Sequence, residues 1–167
     1  MLLDLLKDRY SVRKFSNKMV EQEKLDCILQ AGRVSPTAKN FQPQRVIVCR
    51  SEDAIKKANL ASPCIYGATT VLLVCADFNE CWQSENGLYS SLEIDATIVA
   101  TQMVVEAEEQ GLGSCFVLMF DREKTIELFD LPSNIKPVMF IPIGYKDMPA
   151  QDRHYSRKPI EETVNII

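Results

Sequence analysis

Residues 94–110 carry Ile98, Val99, Ala100, Met103, Val104, Val105 and Ala107 around most of a helix circumference, the longest helical signal in the chain. A helix apolar nearly all round belongs in a core or at a subunit interface. Gly111 then reads as a left-handed cap, and Gly113-Ser114-Cys115-Phe116-Val117-Leu118 as a strand. Upstream, Leu2, Leu3, Leu5 and Leu6 predict a short amphipathic helix ending near Arg9, and residues 20–31 predict a second with Leu25, Ile28 and Leu29 on one face. Gly32 is its expected stop, with extension to Val34 left open. Strands are expected over 45–49, 70–76 and 138–143, and capped helices over 51–61 and 121–129. Residues 77–92 show no clear period; with Trp82 and Tyr89 they form either a flexible lid or a cover for the core.

The 167 residues are 46% hydrophobic and 25% charged, which suits one domain over 1–167 that buries roughly 70% of its unfolded surface. No basic flank precedes a long apolar run, and no stretch approaches the roughly 18 to 20 apolar residues that span a bilayer. A soluble, cytoplasmic protein with no membrane partner is expected. Six cysteines at scattered spacings, with His154 the only histidine, fit buried reduced thiols better than a zinc site. No metal is expected.

Net charge is −4, unevenly spread: residues 1–20 hold five Lys/Arg against two Asp, while residues 77–109 hold eight Asp/Glu and no Lys or Arg. A duplex binder needs an extended basic face, so nucleic acid is not an expected partner. The local positive charge suits one small anion. It is densest at Arg9-Tyr10-Ser11-Val12-Arg13, where alternation after a helix puts Arg9, Ser11 and Arg13 on one side and Tyr10 and Val12 on the other. Guanidinium forks match phosphate oxygens, and a serine hydroxyl or backbone N–H completes such a cradle. A solvated charged turn is the plain alternative.

Ser35-Pro36-Thr37-Ala38-Lys39-Asn40-Phe41-Gln42-Pro43 reads as a loop rich in hydrogen-bonding groups, suited to a site or to an ordinary connector. Gly111-Leu112-Gly113 follows a helix and lacks a third glycine, so it is no dinucleotide fingerprint. Cys115 lies between apolar residues far from the only histidine, which gives a nucleophile little support. The tail, 145–167, holds Arg153, His154, Arg157 and Lys158 and ends in Val164, Ile166 and Ile167, apolar groups costly to leave in water. It is expected to wrap a second copy of the chain.

Taken in order, the Arg9–Arg13 stretch, the Ser35–Pro43 loop, the long helix ending in Gly111-Leu-Gly-Ser-Cys115, and Arg157-Lys-Pro159 resemble the FMN-dependent nitroreductase family along nearly the whole chain. The resemblance implies an α+β fold, a mostly antiparallel central sheet flanked by helices, in an intertwined homodimer with two FMN sites at the interface. It implies that Arg9, Ser11 and Arg157, with Tyr10 in the same stretch, hold the FMN phosphate or ribityl chain and that Arg13 reaches the pyrimidine end of the ring. Pro36, Thr37, Ala38 and Asn40 are to come from the other subunit, and Ser114 and Cys115 to place backbone N–H groups near flavin N5. Three departures stand out: Gln44 replaces the family's usual aromatic residue, Asn59 is an uncertain counterpart of a flavin-reaching asparagine, and the longer helical excursion over the ring is missing.

The implied activity is that of an FMN-dependent NAD(P)H oxidoreductase. NADH or NADPH would deliver hydride through flavin N5 to a nitroaromatic, quinone or similar flat acceptor, with no protein side chain as obligatory acid or base. The alternatives are an FMN-binding or FMN-sequestering protein without turnover, and a phosphate-anion module that binds no flavin.

Overall fold

The computed structural model describes every residue from Met1 to Ile167. Its elements are α1 (Leu2–Asp8), α2 (Gln22–Arg33), β1 (Gln44–Cys49), α3 (Glu52–Ala61), β2 (Thr70–Asp77), α4 (Leu92–Glu109), β3 (Gly113–Ser114), α5 (Arg122–Leu128), β4 (Ile135–Gly144) and α6 (Asp152–Tyr155). The strands form one sheet in the order β1-β2-β4-β3, each neighbouring pair antiparallel. The fold is α+β.

β2 is buried along its whole length, and its period-2 alternation divides the core. Leu72, Val74 and Ala76 join Leu25 and Ile28 of α2 and Val99, Met103 and Ala107 of α4 on one face. Val71, Leu73 and Cys75 join Ala58 and Ala61 of α3, Phe140 of β4 and the apolar residues of α5 on the other. The central strand therefore reads as a continuous apolar run because both of its faces meet a helical layer. α4 buries the face of Ala96, Val99, Ala100, Met103 and Val104, and Ile94 projects from its opposite side.

Several boundaries differ from expectation for local reasons. Gly32 lies inside α2, which ends at Arg33. A Cβ there would stand 2.9 Å from Cγ and Sδ of Met103, so this glycine permits the close approach of α2 to α4. The predicted 113–118 strand shrinks to β3 plus a single bridge from Val117 to Phe140. β4 starts earlier than expected, at Ile135, and accommodates Pro137 beside a register shift in β2. Gly111 has φ +73°, the left-handed cap expected of it. Residues 78–91 form a folded-back excursion with a Gln83–Ser90 bridge and exposed Phe78, Leu88 and Tyr89. Four of the six cysteines are buried, Cys27 is exposed, and burial pushes Cys49 up to about 11 and Cys75 up to about 12.

At the end of β2, Asp77 accepts from Asn134 Nδ2 at 2.8 Å and from the Asn79 N–H at 2.9 Å, with Arg45 Nη2 at 3.8 Å. The Asn134 hydrogen bond first, then the Asn79 N–H and the Arg45 charge, hold its carboxyl below the ordinary value against the opposing effect of burial.

Two predictions follow from this packing. A Cβ on Gly113 would stand 2.5 Å from Val12 Cγ2 and 2.9 Å from Lys146 Cγ, and Val12 is fully buried. Gly113→Ala should therefore cost about 1–3 kcal/mol of stability, read as a lower urea midpoint. Because the folded-state pKa of Asp77 is depressed, its contribution is complete above about pH 4 and is lost as pH falls through the folded value. Asn134→Ala should flatten that part of the acid limb, measured by urea midpoints across acidic pH.

Candidate functional site: an arginine cleft and a separate strained turn

The first half of the site is built on one buried residue. Val12 is buried against Gly113, and its N–H donates to the Ser114 carbonyl at 3.0 Å. Ser11 and Ser114 form a parallel bridge. With Val12 and Phe15 turned inward, Arg13 is exposed, and Arg9 leaves α1 in extended backbone.

The chain after β4 returns alongside this segment. Ser16 N–H donates to the Tyr145 carbonyl at 3.0 Å, Asp147 N–H to the Lys14 carbonyl at 3.1 Å, and the Tyr10 hydroxyl to the Met148 carbonyl at 2.6 Å. Beyond these ties α6 presents Arg153 and His154, whose Nε2 lies 2.7 Å from the Lys7 carbonyl oxygen. Arg157 Nη1 donates to the carbonyls of His154 and Ser156.

The result is a cleft of about 210 Å³ lined by Arg9, Tyr10, Ser11, Arg13, Gln151, Arg153, His154 and Arg157. Four guanidinium groups face it and no carboxylate does. None of the four joins an ion pair anywhere in the chain. Lys146, close behind Tyr10, is instead neutralised by Glu108. Burial, and then the Glu108 charge, push the Tyr10 phenol up, so it stays a neutral donor. Like charges gathered without a counter-charge repel one another, and an anion relieves that repulsion. A phosphomonoester brings about −1.5 to −2 charges and three acceptor oxygens, which fits four forks and the Ser11 hydroxyl.

Of the residues expected at a site, Arg9, Tyr10, Ser11, Arg13 and Arg157 come together here, all within one chain. Gln151, Arg153 and His154 join them unforeseen; the sequence signal was the basic cluster in the tail. Ser114 and Cys115 lie behind Ser11, buried and outside the cleft lining. Burial pushes the Cys115 thiol up, with the Arg13 charge and a Ser11 hydrogen bond working against it. Asn59 sits exposed on α3 and donates to Ile55 O. Gln44 opens β1 with its side-chain carbonyl oxygen buried and unpartnered.

Pro36, Thr37, Ala38 and Asn40 do not line the arginine cleft. They belong to the loop between α2 and β1, which makes a single 3-10 turn over Ala38–Asn40. Lys39, Asn40 and Gln42 hold φ of +51°, +55° and +54°. Thr37 Oγ1 accepts from the Gln42 N–H at 3.0 Å, and the Ala38 N–H donates to Asp95 Oδ1 at 2.8 Å. A second cavity, about 480 Å³ and mostly apolar, opens beside Ala38 against Trp82, Tyr89, Ile94 and Ile98. Asp95 was the other residue not foreseen; its only signal was a carboxylate on an otherwise apolar helix face.

A cation-lined cleft beside an antiparallel sheet sandwiched between helices makes an α+β protein with a seat suited to an anion, and comparison with known proteins identifies its family. The Nitroreductase family model matches residues 6–62 and 55–145. The chain belongs to the nitroreductase family. It is 32% identical to the FMN reductase [NAD(P)H] of Bacillus subtilis over 178 residues, covering 96% of this chain and 70% of that protein. The crystal structure of a nitroreductase family protein from Clostridium difficile superposes with a TM-score of 0.93 at 36% identity, covering 98% of this chain and 96% of that one. A nitroreductase from Exiguobacterium sibiricum, solved in complex with FMN, shares the fold at a TM-score of 0.88 and 18% identity, over 100% of this chain and 97% of that one.

Removing one fork from the cleft should weaken anion binding without unfolding the chain. Arg9→Ala is expected to lower the affinity for a phosphomonoester by about 1.5–3 kcal/mol, the range for a hydrogen bond to a charged partner. Titration calorimetry at fixed ionic strength checks this.

Proposed function

We propose that this protein is an FMN-dependent NAD(P)H oxidoreductase that passes hydride to a nitroaromatic, quinone or similar flat acceptor. The observation that carries it is the cleft of four arginines with no facing carboxylate, on a chain whose relative in Bacillus subtilis is named FMN reductase [NAD(P)H]. When bound, FMN supplies the redox chemistry, accepting hydride from NADH or NADPH and returning it to the acceptor.

The residues of this chain bind, orient and shield. Arg9, Arg153 and Arg157 would neutralise the phosphate and the Ser11 hydroxyl would add a neutral hydrogen bond, while Tyr10, its hydroxyl committed to the Met148 carbonyl, forms part of the wall. Arg13 would face the pyrimidine end, where a fixed cation would stabilise negative charge on the ring. Ser114 and Cys115, directly behind Ser11, contribute main-chain groups toward the ring. Pro36, Thr37, Ala38 and Asn40 of a second copy close the other side. No side chain is required as an acid or base.

The homodimer is part of this proposal, as is a cytoplasmic location. Leu2, Leu3, Leu6, Ile160, Val164 and Ile166 are all exposed in the single chain, and burying them is worth roughly 25 cal/mol per Å². Residues 145–157 return along their own chain, against the expectation that the whole tail wraps a second copy, so it is residues 158–167 that would lie across the partner, with each site completed from two chains. No helix is long and apolar enough to cross a membrane.

The test is the visible spectrum of the purified protein. A flavin spectrum is expected that bleaches anaerobically with NADPH or NADH and recovers on addition of a quinone, in a particle of twice the chain mass by light scattering. Bound flavin that neither donor bleaches would instead make this an FMN-sequestering protein. A protein still colourless after incubation with FMN would overturn the flavin assignment itself.

A further inference from the structure

Asp95 is 1% exposed and sits in the first turn of α4, where the peptide dipoles favour a negative group. Its two oxygens serve different parts of the chain. Oδ1 accepts from the Ala38 N–H at 2.8 Å, and Oδ2 accepts from the Ser91 hydroxyl at 2.6 Å. Ser91 Oγ in turn accepts from the Trp82 N–H at 3.0 Å, and the Ser91 N–H donates to the Trp82 carbonyl at 2.8 Å. The loop of residues 36–43, the excursion of residues 78–91 and α4 thus meet on one carboxylate.

The turn held this way is strained. Lys39, Asn40 and Gln42 all occupy the left-handed region, which residues with a Cβ adopt at a cost that is smallest for asparagine. Strain of this kind persists only where the surroundings over-determine it. The Asp95 bond holds the Ala38 end of the turn from another element, while Arg45 Nη1 to the Gln42 carbonyl at 3.3 Å and the Asp77 N–H to the Pro43 carbonyl at 2.8 Å hold its far end; the Thr37 bond is internal to the loop. Where the pieces meet lies the apolar cavity of about 480 Å³ with Ala38 on one wall and Trp82 and Tyr89 on another.

We propose that Asp95 is a positioning residue that holds the Ala38 turn against the flavin ring and, through Ser91, fastens the Trp82–Tyr89 wall to it, so that flavin seat and acceptor wall form one rigid unit. This rests on the FMN oxidoreductase assignment above. Asp95 touches neither flavin nor acceptor; it acts through the Ala38 N–H and the Ser91 hydroxyl.

Three variants test it. Asp95→Ala removes both acceptors. Asp95→Asn keeps a carbonyl oxygen for the Ala38 N–H, and its amide can donate to a free lone pair of Ser91 Oγ. Ser91→Ala leaves the Ala38 bond and the main-chain bond to the Trp82 carbonyl, and removes the hydroxyl that joins Asp95 Oδ2 to the Trp82 N–H. Asp95→Ala should raise the FMN dissociation constant at least about tenfold and alter the visible circular dichroism of the flavin at saturation, while Asp95→Asn stays within about threefold of wild type. Ser91→Ala should hold FMN within about threefold of wild type yet raise KM for menadione, a neutral quinone, about fivefold with kcat little changed.

A merely structural role would be indifferent to the Asn rescue and would not separate KM from FMN affinity in Ser91→Ala. If Asp95→Ala does not fold, Ser91→Ala still decides. Wild-type FMN affinity in Asp95→Ala, or an unchanged menadione KM in Ser91→Ala, overturns the positioning role. If those variants match a wild type that NADPH reduces, only this role falls; a wild type that takes up no FMN sinks the functional assignment and this inference together.

Discussion

The contact between Val12 and Gly113 sets the geometry of everything around the arginine cleft. Gly113 has no Cβ, so Val12 can sit directly on β3 and its N–H can reach the Ser114 carbonyl. That pins an otherwise irregular segment to the sheet in a single register. A slip of one residue would turn Arg9, Ser11 and Arg13 toward the core and Val12 toward water. Main-chain pairing at residues 14–16 with 145–147 then extends the same register to the tail, which brings α6 and its cations back over the N-terminal segment.

The cleft that results is electrostatically incomplete by itself. The cations next to it are matched, Lys146 with Glu108 and Lys14 with Asp147. The four arginines of the cleft lack such partners. Such a concentration of unpaired like charge opposes folding modestly and is relieved by an anion, so the binding energy of a phosphate and the electrostatic imbalance of the free protein are two aspects of one arrangement. The sheet and its two helical layers supply the rigid base. β2, buried on both faces, joins the α2/α4 layer to the α3/α5 layer.

At the other candidate surface the logic is inverted. There a buried carboxylate with both oxygens satisfied organises neutral backbone, and the turn it holds departs from ordinary backbone preferences at three non-glycine residues. In the proposed dimer the two surfaces would divide the demands of a flat, phosphorylated ligand between them: charge at one end, shape at the other. The separation of the two surfaces within one chain gives the proposed dimer its chemical purpose.

Much of this was legible in the residues. Period-3.6 patterning located α2 and α4, the caps at Ser51 and Asp121 accept from the Ala54 and Lys124 N–H groups as such residues do, and the Arg9–Arg13 alternation follows from extended backbone after a helix. These are local properties, governed by neighbours three or four positions away. The role of Gly32 as a contact with Met103, the shortening of the 113–118 strand, the recruitment of Arg153 and His154, and the burial of Asp95 under Ala38 depend on segments that approach only after the chain has folded. The sequence by itself determined most of the elements, the family pattern and the excess of cations within residues 1–20; which cations share a cleft, and which carboxylate holds the strained turn, was decided by the tertiary structure, because close packing and charge convergence act between residues that one-dimensional spacing does not bring together.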